Sequence, residues 1–166
     1  TIAKQSPSDK TGNIVSIDGR TQIIEYSEIP EALSSEVTQE GQLKLWAANI
    51  AVHVFQTDFL RAVTQSSDGL PYHFAHKKVA YLDTSGTLKQ PSNPNAIKLE
   101  KFIFDLLPLA ERTLTVEALR EDVFAPVKNA PTESFSTAST SREAICQLHR
   151  RWLQEAGCQV SDGVQV

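Results

Sequence analysis

The N-terminal part of the chain has the hydrophobic pattern of a β-hairpin. Residues 13–17 and 22–29 are both rich in β-branched and other apolar residues, and the dipeptide Asp18-Gly19 lies between them. A D-G pair between two such segments is a strong turn signal, because both residues tolerate the positive φ that a tight hairpin turn requires. Pro30 follows the second segment and predicts its end.

The middle of the chain alternates between polar segments with helical spacing and apolar runs of strand length. We predict a short helix over residues 31–40, a buried strand with its continuation over residues 43–55, a helix over residues 58–65, a strand over residues 72–83, and a turn-rich loop over residues 84–95. Thr57 is expected to cap the helix of residues 58–65, and Ser67-Asp68-Gly69 is expected to end it.

A further helix is predicted to begin near Ile97, with Asn95 as its N-cap. Its apolar residues project onto one face, and Pro108 kinks or ends it; the face consists of Leu99, Phe102, Ile103, Leu106 and Leu107. Residues 113–118 are predicted to form another strand.

The last helix has the clearest signature in the sequence. Thr140 and Glu143 have the spacing of a capping box, and Gly157 is expected to end the helix. Its apolar stripe comprises Ile145, Leu148, Trp152 and Ala156.

Strands alternating with helices predict an α/β fold, with a mixed sheet because of the early hairpin. A length of 166 residues suits one domain, so residues 1–166 are predicted to form a single unit. Residues 1–11 are rich in Ser, Lys and Asp and contain a proline, which predicts a linker.

Charge and composition exclude several classes of protein. The net charge is −4, with acids and bases interspersed, so no basic stripe is available to track a nucleic acid. No apolar run approaches the roughly 20 residues that span a bilayer. Cys146 and Cys158 have no metal-ligand or redox spacing, and a reducing cytoplasm is the expected compartment.

The general signatures of phosphate-binding loops, zinc proteases and serine hydrolases are absent, so the candidate chemistry rests on polar residues within apolar segments. Glu25 follows Ile23 and Ile24 and would need a partner such as a sugar hydroxyl or a cation, although a solvated strand face or a structural ion pair also accounts for it. Asn49 lies among alanines, and its amide suits a carbohydrate. It could instead cap a turn or satisfy core backbone.

Two further residues have functional and ordinary interpretations. Phe104 projects roughly 140° away from Leu99 on a helical wheel, which indicates either a second packing surface or the wall of a pocket. Lys128 is placed just after a predicted strand, where it could meet an anionic ligand or simply be solvated.

Four separated strings carry a resemblance to a known family. They are residues 25–29 (EYSEI), 49–53 (NIAVH), 97–105 (IKLEKFIFD) and 119–130 (LREDVFAPVKNA). In this order the chain resembles the UDP-N-acetylhexosamine pyrophosphorylases within the UDP-sugar pyrophosphorylase family, from about Gly12 to Gly157.

The resemblance implies a Rossmann-like nucleotidyltransferase domain, of which this chain would be the C-terminal part. The implied reaction joins UTP and N-acetylglucosamine 1-phosphate to give UDP-N-acetylglucosamine and diphosphate, with Mg²⁺, in nucleotide-sugar biosynthesis. A pyrophosphorylase for UDP-glucose or UDP-galactose, and a non-catalytic remnant or binding module, are the alternatives.

The resemblance also implies roles for particular residues. Gly12 would bring backbone near the sugar, Glu25 and Asn49 would hydrogen-bond it, Phe102 and Phe104 would lie near the N-acetyl pocket, and Lys128 would contact the phosphates. Ala48 and Ala96 depart from the family, which usually has glycine at both positions.

The family's Gly-rich nucleotide loop and the aspartate that helps to hold Mg²⁺ would both precede Thr1. We therefore expect that the 166 residues alone do not turn over UTP. We also expect the surface that faces the missing N-terminal half to favour self-association.

Overall fold

A computed structural model describes residues 1–66, 69–161, 163–164 and 166. In it, the chain folds into two compact units. The first unit contains Thr1–Ile14, Glu25–Ile50 and Leu114–Val166, and the second contains Val15–Ile24 and Ala51–Thr113. Each unit brings together segments that are far apart in the sequence.

The first unit contains a small antiparallel sheet. The first four strands of the chain are β1 (Ile2–Ala3), β2 (Gly12–Ile17), β3 (Arg20–Ile24) and β4 (Ala47–Asn49). The first unit contains β1, the start of β2 and β4. Strand β4 lies between β1 and β2, with both neighbours antiparallel to it. Ile2 and Ala48 face one another in this register and are fully buried.

The predicted hairpin is confirmed, since β2 continues into the second unit, where β3 is its neighbour. Asp18 and Gly19 join the strands with φ values of 51° and 73°, as a two-residue turn of positive φ requires. The second strand is shorter than predicted, because it ends at Ile24 and a turn follows.

The N-terminal residues are part of the fold, and the prediction of a linker over residues 1–11 is wrong. The Thr1 ammonium donates to the carbonyl of Val116 at 2.7 Å, and the Ala118 N–H donates to the carbonyl of Thr1 at 2.9 Å. Burial of Ile2 outweighs the polar composition around it. Residues 113–118 meet Thr1 through these contacts without forming the predicted strand.

The run of residues 43–55 forms a strand only at β4, so the predicted long strand is wrong. Ala51 takes a φ of 59°, which interrupts an extended ladder, and Val54 is 97% exposed. The helix predicted over residues 31–40 is reduced to α1 (Glu31–Ser34). Helix α2 (Thr57–Ser66) belongs to the second unit and confirms the prediction for residues 58–65. Its predicted end at Ser67 and Asp68 lies outside the described residues.

The second unit contains two antiparallel strand pairs. Strand β5 (His73–Lys77) pairs with β8 (Ala96–Glu100), and β6 (Tyr81–Leu82) pairs with β7 (Leu88–Lys89). The single strand predicted over residues 72–83 is therefore two strands. Strand β7 lies within the segment that was predicted to be a loop.

The helix predicted from Ile97 is wrong, because residues 96–100 form β8. The Asn95 side chain accepts from the Val79 N–H at 2.8 Å and donates to the Val79 carbonyl at 3.0 Å, so it does not cap a helix. The chain turns helical only afterwards, as a 3-10 helix over Ile103–Leu109 that contains Pro108. The apolar spacing that suggested a helix covers only a few residues, and pairing with β5 at five positions stabilises the strand instead.

Helices α3 (Arg120–Val123) and α4 (Ala138–Glu155) lie in the first unit. The last helix is confirmed, but its capping box joins Thr137 and Thr140, so the cap was predicted three residues too late. Gly157 has a φ of 87° just beyond the helix, as a helix-ending glycine should. The predicted apolar stripe is partly open to solvent, with Ile145 and Trp152 both exposed.

The fold is therefore a mixture of helices and antiparallel strands. The strand pairings recorded for the described residues are antiparallel, so the predicted mixed sheet is wrong for this part of the chain. Within the same residues, no helix is both long and apolar enough to cross a membrane.

Candidate functional site

Gly12 and Asn49, two of the predicted site residues, lie opposite one another in the sheet of the first unit. The antiparallel register of β2 and β4 pairs Gly12 with Asn49 and Asn13 with Ala48. Gly12 is buried at the start of its strand, and Asn49 is half-buried at the end of its own. A glycine within a strand often marks a point where a ligand or another backbone comes close. The sequence alone could not predict that these two residues are neighbours, because their proximity depends on how β2 and β4 pair.

Glu25 lies just after β3 and not within a strand, so the premise of a carboxylate inside an apolar strand is wrong. Its carbonyl accepts from the Glu28 N–H at 2.9 Å and opens a turn. The residue is half-buried. A carboxylate at the end of a strand is easier to solvate than one inside a sheet, so its position imposes a smaller desolvation cost.

Lys128 is exposed and held by main-chain contacts in the first unit. Its Nζ donates to the carbonyl of Lys10 at 2.9 Å. The N–H groups of Lys128 and Asn129 both donate to the carbonyl of Ser136, at 2.8 and 3.0 Å. The Asn129 side chain donates to the Phe135 carbonyl at 2.9 Å, which closes the loop. The backbone of Lys128 is thus fixed, while its ammonium reaches across to residue 10.

This lysine borders a cavity of about 230 Å³, which we call the Lys128 groove. Its lining includes Asp9, Lys10, Arg120, Phe124, Lys128 and Asn129. Its lining has three cationic side chains and one acidic side chain, an excess of two positive charges. Such an excess favours an anionic ligand.

Arg120 forms the best-covered ion pair of this groove. Its Nη1 lies 2.8 Å from Oδ2 of Asp9, and the two side chains are 24% and 12% exposed. The guanidinium also lies 5.0 Å from the ring centroid of Phe124. Sequence analysis missed both residues of the ion pair. Arg120 belongs to the string of residues 119–130, but nothing in the sequence indicates that Asp9 is its partner.

A second cavity in the first unit, of about 160 Å³, is lined by residues that include Lys4, Asn13 and Tyr26. The Lys4 ammonium donates to Oδ1 of Asn13 at 3.1 Å. Burial lowers the pKa of Lys4, and the attraction of the Asp9 carboxylate opposes this effect. The predicted linker thus contributes a partly desolvated cation to a pocket.

Phe102 and Phe104 pack together in the second unit. Their rings stack with centroids 4.7 Å apart and planes within 15°. The His53 ring meets Phe104 edge-on at 6.2 Å, and the His73 ring lies 4.9 Å from Phe102. We call these four residues the aromatic cluster. Burial lowers the pKa of His53. His73 also lies 2.9 Å from Asp105, a contact that sequence analysis did not anticipate.

Phe104 is 6% exposed and belongs to the core of the second unit. Its predicted position off a helical stripe does not apply, since residues 97–100 are strand and Ile103–Leu109 is a 3-10 helix. Ring stacking and burial are compatible with a packing role and with one face of a pocket.

The described residues contain no group of three or more His, Cys, Asp or Glu side chains that could hold a metal ion. Magnesium prefers several oxygen ligands, including carboxylates, so these residues do not by themselves fit the Mg²⁺ that the resemblance implies.

Comparison with known proteins identifies the class. The model of the UTP–glucose-1-phosphate uridylyltransferase family matches residues 1–151, and the chain belongs to this family. The resemblance based on the four strings is thereby confirmed.

Particular relatives narrow the similarity further. UDP-N-acetylhexosamine pyrophosphorylase-like protein 1 of Xenopus tropicalis is 41% identical over 97% of this chain and 32% of its own length. UDP-N-acetylglucosamine pyrophosphorylase of Saccharomyces cerevisiae is 39% identical over 99% of the chain and 35% of its own. The chain spans about a third of the length of these curated relatives.

Solved structures agree with the sequence relatives. A crystal structure from Entamoeba histolytica, described as a UDP-N-acetylglucosamine pyrophosphorylase, superposes with a TM-score of 0.80 at 31% identity. That match covers 98% of this chain and 40% of the other. The UDP-N-acetylglucosamine pyrophosphorylase of Trypanosoma brucei, in complex with inhibitor, gives a TM-score of 0.64 at 27% identity, covering 97% of this chain and 32% of that one.

Proposed function

We propose that this chain is the C-terminal part of the catalytic domain of a uridylyltransferase, which converts UTP and N-acetylglucosamine 1-phosphate to UDP-N-acetylglucosamine and diphosphate. The observation that carries the proposal is the similarity of nearly the whole chain to the UDP-N-acetylglucosamine pyrophosphorylase of Saccharomyces cerevisiae, at 39% identity. The domain is proposed to be Rossmann-like. This segment supplies the sugar-phosphate half of the site.

Gly12, Asn49 and Glu25 are proposed to hold the hexose. The pairing of Gly12 with Asn49 supports this role, because it sets a residue without a side chain beside an amide that has two donors and two acceptor sites. Glu25 accepts hydrogen bonds from sugar hydroxyls in this proposal, and the residue is half-buried just after the end of β3.

Lys128 is proposed to stabilise charge on the phosphates. The excess of positive charge in the Lys128 groove supports an anionic ligand there. The reaction is an in-line attack of a sugar-phosphate oxygen on the α-phosphorus of UTP, in which positioning and charge neutralisation dominate. The attacking phosphate is already ionised, so no residue of this segment needs to act as a general base. Mg²⁺ would supply further neutralisation, with its ligands elsewhere in the complete enzyme.

Phe102 and Phe104 are proposed to form an apolar wall for the acetamido group. In this proposal the half-buried Phe102 ring offers an apolar surface that a methyl group can contact without losing a hydrogen bond, and the buried Phe104 ring stacks on Phe102 and supports it. A second candidate function is favoured by the family description, which names glucose 1-phosphate. An enzyme for UDP-glucose would need no such wall.

The proposal is tested with the complete enzyme that contains this segment. Diphosphate release is measured with UTP, Mg²⁺ and either N-acetylglucosamine 1-phosphate, glucose 1-phosphate or galactose 1-phosphate. We expect the highest kcat/KM with the acetamido sugar. A preference for glucose 1-phosphate would favour the second candidate, and no turnover with any of the three would support a non-catalytic role.

The separate segment provides a complementary measurement. Residues 1–166 are expected to release no diphosphate under the same conditions, because orienting only one of two reactants forfeits roughly 7–11 kcal/mol of barrier reduction. Turnover by a folded, monomeric segment would show that the nucleotide site lies within it. Light scattering on the same sample tests the expected self-association.

A further inference from the structure

His73 and Asp105 form the best-covered hydrogen-bonded pair of the second unit among the described ion pairs. The His73 Nε2 and the Asp105 Oδ2 lie 2.9 Å apart, and the side chains are 20% and 15% exposed. Pairs in open solvent such as Lys98–Glu100 contribute little, because water competes for both groups. A covered pair competes with less water and holds its geometry better.

The position of this pair along the chain is what gives it a function. Backbone pairing of β5 with β8 sets His73 opposite Glu100, two residues before Phe102. The His73 side chain then reaches Asp105, the residue that directly follows Phe104. One histidine therefore holds residues 101–104 at both ends, by its backbone on one side and by its imidazole on the other.

The imidazole also contacts the first of the two phenylalanine rings. The His73 ring lies 4.9 Å from Phe102, which stacks on Phe104 at 4.7 Å. A change in the direction of the imidazole therefore changes the support of Phe102. Since Phe102 is half-buried and stacks on the buried Phe104, a displacement of Phe102 shifts the apolar surface that the stacked pair offers.

We infer that His73, held by Asp105, is a positioning residue that sets the phenylalanine wall and thereby the selectivity for the acetamido sugar. This inference rests on the proposed function. His73 contacts no substrate in this role; it acts through Phe102.

The test compares two histidines of one strand in the complete enzyme. His73→Ala removes the pair, whereas His76→Ala changes an exposed residue of β5 that pairs with Ile97. The measurements are kcat/KM for N-acetylglucosamine 1-phosphate and for glucose 1-phosphate, the KM for UTP, and the melting temperature. We expect His73→Ala to lower the ratio of the two kcat/KM values by about tenfold or more, with the KM for UTP unchanged. His76→Ala should leave the ratio as it is.

Conservative variants separate positioning from general stability. Asp105→Asn keeps an oxygen acceptor and His73→Gln keeps an N–H donor, so both should retain most of the ratio, while Asp105→Leu should lose it as His73→Ala does. An unchanged ratio in His73→Ala, or an equal loss for both sugars, would overturn the positioning role. If the wild-type enzyme used neither sugar phosphate, the proposed function itself would fail, and the selectivity role with it.

Discussion

The Lys128 groove and the aromatic cluster differ in exposure and in charge. The groove is open and charged, and its lysine is exposed and held by carbonyl groups of residues 10 and 136. The cluster is aromatic and half-buried, with Phe104 among the least exposed side chains. An exposed cation can change its partner when an anion arrives, whereas a packed ring cannot move without disturbing its neighbours. Substitutions in the groove should therefore affect activity, and substitutions in the cluster should affect stability as well.

The largest effect is expected for Phe104→Ala. Removing a 6% exposed ring should lower the free energy of unfolding by about 3–5 kcal/mol. Urea denaturation measures this change, with Phe135→Ala as a control at an exposed ring. Where the variant remains folded, discrimination between sugars with and without the acetamido group should also weaken. A loss below about 1 kcal/mol would mean that the ring is not part of the core.

Lys128→Ala should have the next largest effect, on catalysis. We expect kcat to fall about 100-fold, because a phosphate contact that strengthens as charge develops belongs to the transition state. Thermal stability should hardly change, since the side chain is exposed. Lys44→Ala, which removes another exposed lysine paired with Glu36, is the matched control. A loss of melting temperature at full kcat would make Lys128 a structural residue.

Asn49→Ala and Glu25→Ala should weaken use of the sugar phosphate more than use of UTP. Each variant is expected to cost about 1–3 kcal/mol in kcat/KM for the sugar phosphate if it leaves a buried partner unpaired. Steady-state kinetics with either substrate varied measures the difference. Of the two, Asn49 should give the larger effect, because Glu25 lies after its strand and is more easily replaced by water. Unchanged sugar kinetics in both variants would contradict the site assignment.

The smallest effect is expected for Thr137→Ala, which removes the cap of α4 next to the groove loop. Its hydroxyl accepts from the Thr140 N–H at 3.2 Å, and loss of such a cap costs about 1 kcal/mol. Thermal denaturation measures this cost, with the exposed Ser139→Ala as the control. Because Ser136 accepts the N–H groups that fix Lys128, kcat should fall slightly too. An effect on stability as large as that of Phe104→Ala would remove the distinction between the two regions.

The family resemblance and some of the local elements could be predicted from the sequence, and the placement of the site residues could not. Asp18-Gly19 specified its turn, and Gly157 specified the end of α4, because positive φ is a property of the residues themselves. The four strings indicated the family, because a match of residue types in sequence order can be recognised without knowing which residues are in contact. None of this indicated that Gly12 pairs with Asn49, which depends on the register of two strands.

Tertiary structure decided the cases in which local signals were weak or in conflict. Residues 96–100 have apolar spacing that suits a helix, yet they form a strand, because β5 supplies a partner for five consecutive residues. Ile2 is buried in a segment whose composition indicates a linker, because β4 covers it. The contacts of His73 with Asp105 and of Arg120 with Asp9 join residues 32 and 111 positions apart. Such pairs form only when the fold brings distant segments together, so no pattern of neighbouring residues could have indicated them.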